Sequence, residues 1–156
     1  MPRAPFQILV LPWRSRAEAL EVAVLLRADY ELWQFISGGG ELGETPADAA
    51  RRESLEEAGI PLDAAYLALD TTTSIPACWF EAWPSWPEGV LVVPEHVFAV
   101  EVGERELVLS PEHRELRWCR LPEAMALLRF DSNRNALWEL NERLFPGPRV
   151  KRPAYR

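Results

Sequence analysis

The chain contains few cysteines and no long apolar run. Its 156 residues include two cysteines, Cys78 and Cys119, whose separation is not that of a metal-binding pair. We therefore expect two reduced thiols in a reducing compartment. No stretch approaches the roughly 20 apolar residues of a membrane-spanning helix, and no apolar run follows the basic residue near the amino terminus. The composition predicts a soluble, cytoplasmic protein without a membrane partner.

Positive charge is also scarce in this chain. Lysine and arginine number 17 against 24 aspartates and glutamates, so the formal net charge is −7. This balance does not favour nonspecific binding to nucleic acid, which is therefore an unlikely partner. An anionic substrate would have to be attracted by a bound metal and by local arginines. The length and the apolar content of 48% suit one domain with a sizeable core.

Much of the acidic charge lies beside one predicted helix at 46–58, which follows a glycine-rich loop at 38–40. The residues at its ends are typical of helix boundaries: Thr45 as N-cap, Pro46 at the first position, Asp48 completing a capping box, and Gly59 just beyond the last turn. These signals are local, so they predict the helix without reference to the rest of the fold.

Glu53, Glu56 and Glu57 share one face of this helix, because their spacings are i+3 and i+4. Like charges at these spacings repel, and Arg52 can offset only part of the repulsion. The remainder calls for a cation, and carboxylate oxygens are ligands suited to Mg²⁺ or Mn²⁺. Glu44, just before the helix, can add a direct or water-mediated contact. The alternative is a solvated acidic helix, which would not require the flanking glycines and Arg52 together.

The remaining periodicities predict an α/β fold. Apolar and β-branched runs predict strands over 6–11, 21–27, 33–36, 66–73, 96–102 and 115–120. The strand at 96–102 is predicted to begin after Pro94, because proline interrupts a strand. Helical spacing predicts further helices over 122–130 and 133–144. Small residues on the helix face opposite the glutamates predict close packing on a sheet; they are Ala47, Ala50, Ser54 and Ala58. Strands interleaved with helices predict a mixed sheet between helices.

The acidic helix and its flanks resemble the Nudix box, which reads glycine, five residues, glutamate, seven residues, then Arg-Glu-apolar-x-Glu-Glu-x-Gly-apolar. The residues in register are Gly38, Glu44, Arg52, Glu53, Glu56, Glu57, Gly59 and Ile60. Ser54 departs from the pattern, but it lies on the predicted packing face. The resemblance implies a Nudix α/β/α sandwich with a mixed β-sheet between helices. We expect a single domain over 1–145 and a basic, proline-rich tail over 146–156.

The resemblance also implies a Mg²⁺- or Mn²⁺-dependent pyrophosphohydrolase. Its metal ligands would be Glu53, Glu56 and Glu57, with Glu44 as a secondary ligand and a backbone carbonyl at Ser37 or Gly38 facing the metal. Arg52 would orient the glutamates through charge-assisted hydrogen bonds. Glu112, in the sequence Pro-Glu-His, is a candidate further ligand or general base, and the alternative is an ordinary surface glutamate. His113 could assist proton transfer, but because a lone histidine in a loop is usually a surface residue, we expect it to be one.

Shorter patches resemble the bacterial dihydroneopterin triphosphate pyrophosphatase subgroup; they are 32–38, 111–113 with Trp118, and 132–134. The resemblance implies cleavage of a nucleoside- or pterin-triphosphate substrate to the monophosphate and pyrophosphate. The alternatives are a dinucleoside polyphosphate hydrolase, a capped-RNA hydrolase, and a Nudix-fold ligand-binding domain without turnover. The box cannot distinguish these alternatives, because it recognises only the diphosphate, whereas they differ in the group attached to it.

Four residues outside the box are candidates for substrate contact. Arg27 could bind a phosphate, or it could form a surface ion pair. Trp83, in the tryptophan-rich segment 79–86, could stack on a planar ring, although the segment could equally pack internally or form a homodimer contact. Asn133 and Arg134 could read a ring edge or a phosphate. For Asn133, capping of the last helix is the simpler interpretation.

Overall fold

The described part of the chain, residues 2–153 of a computed structural model, forms seven strands and three α-helices. The strands are β1 (Arg3–Arg16), β2 (Ala19–Arg27), β3 (Trp33–Gln34), β4 (Ile36–Glu41), β5 (Tyr66–Pro76), β6 (Val92–Glu101) and β7 (His113–Arg120). The helices are α1 (Pro46–Ala58), α2 (Leu121–Leu127) and α3 (Asp131–Leu144). Residues 154–156 of the predicted tail lie outside the described residues.

One mixed sheet runs through the middle of the molecule. Its strand order is β3-β2-β1-β6-β5, with β4 paired to β1 and β7 paired to β2. The sheet is mixed because β1 and β6 run parallel, whereas the other pairings are antiparallel. Among residues 2–153, no helix has both the length and the apolar character needed to cross a membrane.

The two faces of the sheet are covered by different helices. Alternate residues of a strand point to opposite faces, so Ile8 and Val10 pack with α1, whereas Leu9 and Leu11 pack with α2 and α3. Helices therefore lie on both sides of the sheet. The predicted α/β/α sandwich with a mixed sheet between helices is confirmed.

Helix α1 begins and ends where its boundary signals predict. Thr45 accepts a hydrogen bond from the Asp48 N–H, the Asp48 carboxylate accepts one from the Thr45 N–H, and Gly59 is left-handed with a φ of 68°. The prediction for the packing face is wrong at Ala47, which is exposed; Ala49 is buried in its place. The buried face is thus rotated slightly from the one expected.

The glycines at 38–40 form part of strand β4, not a loop. They pair with β1, with Gly38 opposite Ile8 and Gly39 opposite Gln7. The absence of side chains matters for packing, because a Cβ atom added to Gly38 would overlap the carboxyl group of Glu53. Glycine therefore lets the strand approach the acidic face of α1 closely.

Strand β6 begins earlier than predicted and includes Pro94. At this residue β6 pairs with Ser74 of β5, whereas its pairing with β1 begins only at Glu95. A proline is tolerated where the strand has a neighbour on one side only, because the missing N–H then breaks no ladder bond. Helix α3 likewise begins earlier than predicted, with Phe130 as its N-cap, so Asn133 lies inside the first turn and does not cap it.

Candidate active site

Arg52 joins helix α1 to strand β4 and to the turn between them. Its Nε and Nη2 atoms donate to the Glu44 carboxylate over 2.7 and 3.0 Å, and Nη2 also donates to the Gly39 carbonyl over 3.0 Å. Glu44 accepts a third hydrogen bond, from the N–H of Glu41 over 2.8 Å. The Arg52 guanidinium lowers the pKa of Glu44, so this carboxylate is held ionised and in one orientation.

The same guanidinium contacts two glutamates of the acidic face. Arg52 Nη1 donates to Glu53 over 2.9 Å and more weakly to Glu56 over 3.4 Å. Burial raises the pKa of Glu53 to about 7; Arg52 opposes this effect, and repulsion from Glu57 and Glu56 adds to it. Glu53 is therefore a carboxylate that a nearby cation would ionise fully. Glu56 is more exposed, so it faces solvent beside this pair.

Glu57 lies at the buried end of the acidic face, 3% exposed. Its Oε2 atom is 3.0 Å from Nε2 of His113, which is itself 6% exposed. Burial raises the pKa of Glu57, and the hydrogen bond to His113 opposes this rise. The expectation that His113 is a surface residue is wrong: the imidazole orients a site glutamate.

The segment before β7 is held against the end of α1, which brings Glu112 to the cluster. The Ser110 N–H donates to the Glu57 carbonyl over 3.1 Å, and the Ala28 N–H donates to the Glu112 carbonyl over 2.8 Å. As a result, ligand atoms of Glu57, Glu112 and His113 all lie within 4.8 Å of one another. The exposed carboxylate of Glu112 is free to face a bound ion or substrate.

The donor set fits a divalent cation. Arg52 contacts the carboxylates of Glu44, Glu53 and Glu56, and Glu57 follows on the same helix face against His113, so the cluster carries excess negative charge. Carboxylate oxygens match the preference of Mg²⁺ and Mn²⁺, and carboxylates that bind metals are commonly held by outer hydrogen bonds, as Glu57 is by His113. Glu53 and Glu57 also have raised pKa values through burial, which a cation would reverse.

Comparison with known proteins decides the family. The family model of the NUDIX domain matches residues 7–140. The chain belongs to the Nudix family. Dihydroneopterin triphosphate diphosphatase of Escherichia coli is 29% identical over 140 residues, which cover 86% of this chain and 91% of that protein.

Solved Nudix structures show the same fold. A Nudix hydrolase of Listeria monocytogenes is 41% identical, with a TM-score of 0.81 over 90% of this chain and 94% of that one. Dihydroneopterin triphosphate pyrophosphohydrolase of E. coli is 28% identical, with a TM-score of 0.73 over 90% and 97% of the two chains. Since the relatives are hydrolases, the chain is assigned to the Nudix hydrolases, which act on phosphorus-containing acid anhydrides.

Arg27 lies beside the Nudix cluster. It ends β2 opposite His113, and its Nε atom donates to Asp29 over 2.7 Å. This hydrogen bond raises the pKa of Arg27, and the charge of Glu112 adds to the effect. The bonds to Asp29 use Nε and Nη2 of Arg27, and the guanidinium has further donors, so both of its predicted roles stay open.

The other three predicted substrate contacts are engaged elsewhere in the Nudix fold. Buried Asn133 accepts a hydrogen bond from the Phe35 N–H over 3.1 Å, which ties α3 to the start of β4. Arg134 donates to the Met125 carbonyl over 3.2 Å and to Asp131 over 2.9 Å. The Trp83 indole N–H donates to the Val90 carbonyl within its own loop, and the side chain is 39% exposed. Their roles toward substrate stay predictions.

Sequence reasoning missed one contact of this Nudix site and one buried carboxylate elsewhere in the sheet. The Gly39 carbonyl is an Arg52 acceptor, whereas the candidate backbone ligands were Ser37 and Gly38. Glu95, a buried carboxylate of β6, was not a candidate at all. The signal for Glu95 was present, because Val93, Glu95, Val97 and Ala99 alternate toward the same buried face. Pro94 obscured it by suggesting that no strand includes this position.

Proposed function

We propose that the chain is a Mg²⁺- or Mn²⁺-dependent pyrophosphohydrolase that converts a nucleoside or pterin triphosphate to the monophosphate and pyrophosphate. The observation that carries this proposal is a partly buried Glu53 and a buried Glu57 on one helix face, two carboxylates whose pKa values are raised by burial although Arg52 donates to Glu53 and His113 lies against Glu57. A domain that only bound a ligand would gain nothing from keeping such a repulsive group.

The chain's own residues divide the work of hydrolysis. When bound, a divalent cation would supply charge neutralisation for the phosphate oxygens and orientation of a water molecule. Arg52 holds Glu44 and Glu53 in place, and His113 holds Glu57. Glu53, Glu56 and Glu57 are the proposed ligands, with Glu44 and the Gly38 carbonyl as secondary contacts.

Glu112 is the proposed general base. Its exposed carboxylate lies within 4.8 Å of the Glu57 and His113 ligand atoms, at the open side of the cluster. There it would accept a proton from the attacking water as the oxygen bonds to phosphorus and the bridging P–O bond breaks. Its role as a further ligand is the alternative, because the same position suits both.

The triphosphate substrate is supported by the similarity to dihydroneopterin triphosphate diphosphatase, which extends over 91% of that protein. A diadenosine polyphosphate is a less favoured alternative, since the Caenorhabditis elegans Ap4A hydrolase is 19% identical and shows the fold alone. A capped-RNA substrate has no specific observation in its favour. The single domain over 1–145, a homodimer and a cytoplasmic location are kept as predictions.

The test measures pyrophosphate and orthophosphate release with Mg²⁺ against a substrate panel. The panel contains dihydroneopterin triphosphate, common and oxidised nucleoside triphosphates, diadenosine polyphosphates and ADP-ribose. Glu56→Gln should lose activity by about two orders of magnitude or more, because a ligand charge is removed from an exposed position that folding tolerates. Glu115→Gln, at an exposed position of β7, is the control. Full turnover in Glu56→Gln would contradict the assignment of Glu56 as a metal ligand. If the wild-type protein binds the metal but hydrolyses no substrate of the panel, a ligand-binding domain would be favoured.

A further inference from the structure

The sheet face that carries α2 and α3 contains a buried polar row. Glu95 of β6 is in register with Gln7 of β1 and with Thr73 of β5, and Gln7 is in register with Gly39 of β4. Register partners on adjacent strands point to the same face. The four residues therefore form one line across the sheet, and Glu95 is 5% exposed within it.

This polar row separates two apolar clusters. On one side, Val93 packs with Ala77 and Trp86; on the other, Val97 and Ala99 pack under α2 and α3. An apolar residue at position 95 would join the two clusters into a continuous core. A buried carboxylate at this position instead costs stability unless it is fully hydrogen-bonded, so its presence calls for an explanation.

Glu95 is not fully hydrogen-bonded by the chain. The Ser132 hydroxyl, in the first turn of α3, bonds to the carboxylate, but Oε1 has no hydrogen-bond partner. Burial raises the pKa of Glu95 to about 7, and Ser132 only partly opposes this rise. Buried polar atoms in proteins are nearly always paired, so an unpaired acceptor suggests a partner outside the chain.

The row also contains an unpaired donor. Arg3 bonds to the Gln7 side-chain oxygen and lies over Gly39, 4.8 Å from the centroid of the Phe80 ring, and its Nε atom has no partner. Gly39 in turn offers its carbonyl to Arg52. The row thus runs from the Arg52 guanidinium of the acidic site to Glu95. It contains one donor without a partner, Arg3 Nε, and one acceptor without a partner, Glu95 Oε1.

We propose that Glu95 recognises the ring of the substrate. Its carboxylate would accept hydrogen bonds from a 2-amino-4-oxo ring edge, as found in pterins and guanine. This edge places an amino group beside a ring N–H, and two donors side by side match the two oxygens of a carboxylate. Arg3 supplies a donor for an acceptor atom of the same substrate. The inference rests on the proposed function, in which the phosphates bind at a cation held by Glu53, Glu56 and Glu57. Since Glu95 is 5% exposed, side chains above the row must move aside for the ring.

The first test measures binding of the product-type monophosphates GMP, IMP and AMP, and of neopterin monophosphate, by calorimetry. GMP and IMP differ only in the 2-amino group. Wild-type protein should bind GMP about tenfold to a hundredfold more tightly than IMP, as expected for hydrogen bonds to a charged acceptor. Equal affinities for GMP and IMP, or no binding of any monophosphate at millimolar concentration, would overturn the inference without any variant.

The second test repeats these titrations with Glu95→Gln, whose amide group opposes one of the two ring donors. The preference for GMP over IMP should fall to within about twofold, and neopterin monophosphate should lose affinity to a similar extent. Glu101→Gln, at an exposed position of the same strand, should keep the wild-type preference. An unchanged preference in folded Glu95→Gln would assign Glu95 a purely structural role.

The two proposals can fail separately. If no triphosphate is hydrolysed but the monophosphates show the expected preference, the proposed catalysis fails and ring recognition stands. If triphosphates are hydrolysed with equal kcat/KM for GTP and ITP, catalysis stands and ring recognition by Glu95 fails. A larger effect with neopterin monophosphate than with GMP would identify the pterin as the ring that the site accepts.

Discussion

Glu139 of α3 takes the place of a missing strand partner, and its replacement should measurably destabilise the fold. Strand β5 has a register shift between Ala68 and Thr72, where its ladder with β6 is interrupted. The Glu139 carboxylate accepts hydrogen bonds there from the Asp70 N–H (2.8 Å), the Thr71 N–H (2.7 Å) and the Thr71 hydroxyl (2.6 Å). Arg143 Nε donates to the same carboxylate over 2.7 Å, so Glu139→Gln keeps the shape but leaves one acceptor oxygen for four donors.

The size of the effect follows from the titration of this carboxylate. Burial opposes its ionisation, but the hydrogen bonds from Thr71, Asp70 and Arg143 prevail and lower the pKa of Glu139 from 4.5 to about 2. This difference corresponds to at most about 3 kcal/mol, which we reduce to about 2 kcal/mol because the group is partly screened by solvent. For a chain of this length, the melting temperature of Glu139→Gln should fall by about 4–8 °C.

The pH dependence gives an independent check. A carboxylate whose pKa is lower in the folded protein stabilises it fully above the ordinary pKa of 4.5 and loses this effect as the pH falls toward about 2. The stability gap between wild type and Glu139→Gln, measured by urea unfolding, should therefore be constant from pH 7 to 5 and narrow below that.

Asp70→Asn is the matched control for Glu139→Gln. It removes a charge from the same network, where Asp70 accepts from Arg143 over 2.8 Å, but its side chain is 94% exposed. The cost should stay below about 0.5 kcal/mol. The reasoning is refuted if Glu139→Gln is no more costly than Asp70→Asn, or if the stability gap does not change between pH 5 and 3.

Three further predictions concern the site. Arg52→Lys keeps the charge but cannot bond to Glu44 in two places and to the Gly39 carbonyl together, so kcat should fall by about a hundredfold in the pyrophosphate assay. Gly38→Ala places a methyl group against Glu53 and should reduce Mn²⁺ affinity measured by calorimetry, whereas Gly89→Ala, which meets no atom within 4 Å, should not. Trp83→Ala should raise KM several-fold if the tryptophan stacks on substrate; an unchanged KM would favour packing.

The features that the sequence predicted correctly are local ones. The ends of α1 depend on residues within one turn of each end, so Thr45, Asp48 and Gly59 were sufficient to place them. The fold class followed because strand and helix periodicities are likewise read within short windows. The Nudix box likewise predicts the acidic face of a single helix. It does not predict which residues of other segments contact that face.

The features that the sequence did not predict depend on contacts between distant segments. His113 contacts Glu57 across 56 positions, and a lone histidine in a turn carries no sign of such a partner. The register shift in β5 is stabilised by Glu139, which lies in helix α3, 68 positions from Thr71. Asn133 bonds to the Phe35 backbone 98 positions away. In each case the residue type was compatible with the surface, and the contact depends on the topology of the sheet; it is buried for His113 and Asn133 and partly buried for Glu139.

The position of the glutamates along α1 adds an argument for the order of binding. Glu56 and Glu57 lie in the last turn, where the helix dipole is negative, and this turn contains no basic residue. The one guanidinium of the cluster, Arg52, is already bonded to Glu44, Glu53 and the Gly39 carbonyl. An anionic triphosphate approaching the cluster alone would therefore meet unbalanced negative charge. Because a divalent cation removes that repulsion, it should bind first or together with the phosphates, and the affinity for a triphosphate should depend steeply on the metal concentration.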